Sequence, residues 1–72
     1  MDALEGLRKA LEAEHAAVYA YGVVGARTAG TRRREATAAF DAHRARRDRL
    51  RELIVARGGT PAEPAAGYDL PF

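Results

Sequence analysis

The 72-residue sequence contains no cysteine, so neither a disulfide nor a thiolate-bound zinc can staple so short a chain. It has no run of 18 apolar residues, which excludes a membrane-spanning helix. The opening stretch, Met1 to Gly6, carries neither a basic nor an apolar run, so no secretion leader is visible. A cytoplasmic protein is the expectation. Lysine is nearly missing as well, with one against eleven arginines, a bias that suits a GC-rich genome.

What is present is helix-forming material. Seventeen residues are alanine, which favours helix and lets helices approach closely. Alternating steps of three and four pick out Leu4, Leu7, Leu11, Glu14, Val18, Tyr21 and Gly25 as one apolar seam. Glu14 interrupts it. An unpaired carboxylate on a buried seam costs several kcal/mol, so Glu14 requires a partner or a proton.

The first helix is expected over about residues 2–27, with Asp2 as its cap and Glu5 three residues on. Thr28, Ala29, Gly30 and Thr31 then break the pattern with a glycine and two possible caps. A second helix is expected over about 32–57, ended by Gly58 and Gly59 and barred from continuing by Pro61. Two helices of about 39 Å joined by so short a link predict an all-α antiparallel hairpin over 1–57. Residues 58–72, with three prolines, form an extended tail that packs on the helices or leads to a missing second half. Its alternating Tyr68, Leu70 and Phe72 suit a groove between helices.

The second seam reads Ala36, Phe40, His43, Arg47, Leu50, Ile54 and Arg57. Folding the hairpin about Gly30 sets Leu7 near Leu53 and Ile54, Leu11 near Leu50, and Tyr21 near Ala39 and Phe40. Glu14 falls opposite the stretch from His43 to Arg47, so the polar interruptions of both seams share one layer. Ala10, Ala17 and Val24 flank the first seam, and Ala39 and Leu53 the second. Two helices cannot cover stripes that wide, and a four-helix bundle is the expected solution, made by homodimerisation or with this chain as half of a longer domain.

The segments Glu14 to Gly22 and Ala42 to Asp48 resemble actinobacterial ferritin-like domains of unknown function, and the resemblance extends to Tyr68–Phe72. It implies a ferritin-like four-helix bundle of which this chain supplies the N-terminal half, completed by a second copy or by the C-terminal half of its own domain. It also raises a di-iron site, in which Glu14 matches the lone glutamate of the first helix and His43 the histidine of the second. The residue three before His43 is Phe40, not glutamate, so no intact di-iron site is expected.

Glu14, His43, Arg47 and Tyr21 therefore define a buried polar layer. In one reading Arg47 forks onto Glu14 while His43 completes the layer and fixes helix register. In a second, Glu14 and His43 from two copies hold a divalent metal; in a third, the carboxylate and histidine handle a proton or a small molecule. His15, one step off the seam, is expected at an exposed rim, and Gly22 and Gly25 at a close helix contact or beneath the tail or a ligand.

Charge is uneven. Residues 1–28 carry net −1, residues 31–58 net +5 through nine arginines, and the remainder −2. Arg32, Arg33 and Arg34 at a helix start are candidates for an anion or a nucleic acid. The i, i+3 and i, i+7 spacing of Asp41, Arg44 and Asp48, with Arg49 and Glu52, points instead to local compensation, and no aromatic interleaves the basic run. The expectation is a structural or binding module with a degenerate ferritin-like core, with no cofactor beyond the divalent metal of the second reading and with an enzyme disfavoured but left open.

Overall fold

The computed structural model describes residues 2–71, in which two antiparallel helices are followed by an extended tail. Helix α1 spans Ala3–Ala26 and helix α2 spans Gly30–Ala56. Asp2 caps α1 as its spacing implies: Glu5 N donates to Asp2 Oδ1 at 2.8 Å.

The connection is tighter than the sequence indicates. Only Arg27, Thr28 and Ala29 separate the helices, and Gly30 makes the reversal at φ +59°. Thr28 and Thr31 do not cap α2. Thr28 donates its hydroxyl back to Val24 O at 2.7 Å, and Thr31 Oγ1 accepts from Arg34 Nη2 at 2.9 Å. Ala29 occupies the capping position without a side-chain bond. The α1 carboxyl end gains instead, because Arg33 Nε also donates to Gly25 O at 3.1 Å.

Helix α2 ends in a Schellman motif. Gly58, at φ +82°, donates to Val55 O at 2.9 Å, and Gly59 N donates to Ile54 O at 3.0 Å. The chain then crosses the open end of the hairpin. A Cβ on Gly59 would lie 2.9 Å from Leu4 Cδ1 and 3.0 Å from Ile54 Cγ2, so any larger residue there requires Leu4 and Ile54 to shift.

The tail lies along one side of the helix pair, reaching His15 at Ala62, Arg51 at Glu63 and Tyr19 at Tyr68. Tyr68 and Leu70 are half-buried there, as their alternation indicates, while Phe72 lies outside the described residues. Leu11, Ala36, Ile54 and His15 are the buried core among the described residues. The rest of the two seams is only half-buried, and Arg57 is exposed, so the second seam ends at Ile54.

Away from the tail's contacts at His15, Tyr19 and Arg51, residues Ala10, Ala17, Val24, Ala39 and Leu53 are half-buried. The accessible surface is 4996 Å², whereas a well-packed monomer of this mass exposes about 4,400 Å². The excess reflects a rod 42 × 21 × 19 Å in extent, together with a tail most of whose residues are exposed.

Candidate functional site

Glu14 sits near the midpoint of α1 and His43 at the midpoint of α2. Their side chains meet across the hairpin, with His43 Nδ1 2.7 Å from Glu14 Oε2. A carboxylate only accepts, so Nδ1 carries the proton and donates. The short distance is that of a charge-assisted bond. Glu14 is 16% and His43 22% exposed, so the pair is screened from water without being sealed from it. The Tyr21 ring stacks on the imidazole at 5.3 Å and 15° between planes, completing the layer.

Three of the four residues in the expected layer thus come together. Arg47 does not. Its Nε donates to Asp48 Oδ1 at 3.1 Å, and its Nη2 lies 3.0 Å from the same oxygen. The shorter histidine reaches Glu14 directly, and the guanidinium turns outward to the neighbouring carboxylate. His43 Nε2, by contrast, has no hydrogen-bond partner among the described residues.

The donor set does not fit a di-iron centre. Glu14 is committed to a ring nitrogen, and the residue one helical turn before His43 is Phe40, which is no ligand. The Phe40 ring packs toward Gly22 and lies 5.5 Å below the Arg44 guanidinium. Among the described residues, no three His, Asp or Glu side chains gather as metal ligands would.

The three arginines at the start of α2 lie at the surface. Arg33 Nε donates to Gly25 O and Arg34 Nη2 to Thr31 Oγ1, and Arg32, Arg33 and Arg34 are all exposed. Arg49 and Glu52 pair at 3.1 Å as their spacing implies. Arg44 sits over Phe40 and forms no ion pair with Asp41 or Asp48 among the described residues.

His15 is the residue whose place the sequence misstates. It is 5% exposed, not at a rim, and its Nε2 lies 2.9 Å from Ala62 O. The tail covers this flank of α1 and takes a donor from it. The spacing of Leu11, His15 and Tyr19 at steps of four marks the same stripe, and could have identified the face on which an aromatic tail docks. The two helix glycines also differ from expectation. A Cβ at Gly22 would rest 3.5 Å from the Phe40 ring and one at Gly25 4.0 Å from Ala36 Cβ, both ordinary contacts. Neither position requires glycine for helix packing.

Residues 6–72 match the family described as a domain of unknown function, DUF4439, and the chain belongs to that family. No curated protein matches the sequence, and no solved structure matches the fold. No described helix is long and apolar enough to cross a membrane.

Proposed function

We propose that this family member is a structural or binding module, a half-bundle whose uncovered helix face is completed by a second copy, with Glu14 and His43 fixing the register of its helices. One observation carries the reading: the Glu14–His43 bond, 2.7 Å long, stands midway along two seams whose apolar neighbours remain half-buried. A paired charge in that position adds little net stability but penalises any slipped packing that would strand it. The ferritin-like kinship belongs to the same proposal. It rests on the segments Glu14 to Gly22 and Ala42 to Asp48 and is compatible with an all-α hairpin. Glu14 and His43 are then the remnant of a ligand pair, kept as a structural one.

The test is the full chain carrying Glu14→Leu and His43→Leu together. The proposal expects retained helix content and a mixture of assembly states by native mass spectrometry. A single assembly state, identical to that of the unsubstituted chain, would remove the register role. The metal-binding alternative has one supporting observation, the unpartnered Nε2 of His43. Elemental analysis of protein prepared without a metal-affinity tag tests it, and a stoichiometric transition metal would favour it over a purely structural layer.

A further inference from the structure

An oxidant meets few soft side chains in this sequence. It has no cysteine, no tryptophan and a single methionine, so tyrosine is the side chain open to one-electron oxidation. Of the three tyrosines, Tyr19 on α1 and Tyr68 on the tail are in contact, with ring centroids 5.4 Å apart and planes tilted by 57°. Tyr19 is 38% exposed and Tyr68 is half-buried, so an oxidant reaches the pair from solvent. Both hydroxyls lie along one short stretch of the tail. That of Tyr68 accepts from Ala65 N at 3.0 Å, and a Cβ on Gly67 would lie 3.7 Å from that of Tyr19. Tyr21 is held elsewhere: two residues from Tyr19 it takes another side of α1, and its ring stacks on His43.

We infer that Tyr19 and Tyr68 form an oxidative cross-linking site, at which a peroxide-driven one-electron oxidant couples the two rings and fixes the tail to α1. The inference stands apart from the half-bundle reading above. Each phenol gives up one electron and one proton. The two phenoxyl radicals join through a carbon ortho to each oxygen, and the hydrogens on those carbons pass to the oxygens, restoring both phenols. One carbon–carbon bond is formed for two hydrogens lost. Hydrogen peroxide takes up both electrons and both protons and leaves as two molecules of water.

The attachment of the tail suits this chemistry. Besides the tyrosine contact, it meets the helices through His15 at Ala62 O and through Arg51 at Glu63, the latter 3.5 Å apart with the Glu63 side chain exposed. A segment held at points can make the short further approach that joining the rings requires. A bond between residues 19 and 68 closes a long loop. It does in a chain without cysteine what a disulfide does elsewhere, limiting the freedom of the unfolded chain.

The test treats the full chain, at low protein concentration, with a haem peroxidase and hydrogen peroxide. The expected product has the mass of one chain less two hydrogens, shows dityrosine fluorescence and yields on digestion a peptide pair joined through Tyr19 and Tyr68. Its thermal midpoint rises and amide exchange in residues 62–68 slows. Tyr19→Phe and Tyr68→Phe should each abolish this product, whereas Tyr21→Phe should leave it, with circular dichroism confirming that every variant keeps its helices. Coupling mainly between two chains, a one-chain product that survives Tyr68→Phe, or no dityrosine in the unsubstituted chain would overturn the site. A coupled chain with unchanged midpoint and exchange would overturn the fixing of the tail.

Discussion

The ring of His15 is buried beneath the tail, and its Nε2 lies 2.9 Å from the carbonyl oxygen of Ala62, 47 residues away. Apart from the bonds that end α2, it is the one hydrogen bond joining the tail to a helix among the described residues. Tyr68 adds an aromatic contact, 5.4 Å from Tyr19 between ring centroids, and folds its hydroxyl back to accept from Ala65 N at 3.0 Å. The tail is thus attached at points, without a backbone ladder.

Replacing His15 by Phe keeps the buried ring and removes the donor. The expected loss is about 1 kcal/mol, the net worth of one buried hydrogen bond. Amide exchange should quicken in residues 62–68 while the centres of α1 and α2 keep their protection. Uniform loss of protection along the helices would show that the tail and hairpin unfold as one unit.

At the polar layer, Glu14→Leu strands the His43 Nδ1 donor and should cost about 1–2 kcal/mol in urea unfolding. His43→Leu should cost a similar amount by stranding the carboxylate. The double substitution should cost less than the two singles combined, because it leaves neither group unpartnered. Strict additivity would mean that the 2.7 Å contact couples the two residues only weakly.

Arg47→Ala should change stability by less than about 0.5 kcal/mol, since its partner Asp48 is 60% exposed and such ion pairs are worth little. A loss comparable to that of Glu14→Leu would place the guanidinium on Glu14 in solution and restore the pairing anticipated from the sequence.

Two glycine substitutions should act with opposite sign. Gly59→Ala pushes a Cβ against Leu4 and Ile54 and should destabilise the chain by about 1–3 kcal/mol, the usual cost of overpacking. Gly22→Ala meets only ordinary contact with Phe40 and should stabilise α1 by about 0.5–1 kcal/mol through helix propensity. Thermal melts of both variants check the pair. A destabilising Gly22→Ala would reveal a close neighbour at that position that the single chain does not contain.

The hairpin and the central pair were legible because both follow from periodicity. Seam spacing placed Glu14 opposite His43, and the structure joins them at 2.7 Å. The competition for Arg47 was not legible, because Glu14 and Asp48 both lie within reach of a long side chain and only the packed geometry decides between them. His15 was misread for a related reason. Helix periodicity describes the face turned to the other helix, and the part of the tail that meets His15, at Ala62, precedes the alternating Tyr68, Leu70 and Phe72. The role of Gly59 was hidden likewise, since it depends on where the tail crosses Leu4.

The central claim is that the open face of this 7.8 kDa chain is closed by a second copy. Multi-angle light scattering on the full chain at two protein concentrations tests it most directly. The account predicts a mass of two chains at the higher concentration, falling toward one on dilution as helix content declines. A fully helical monomer that stays monomeric at both concentrations would contradict it.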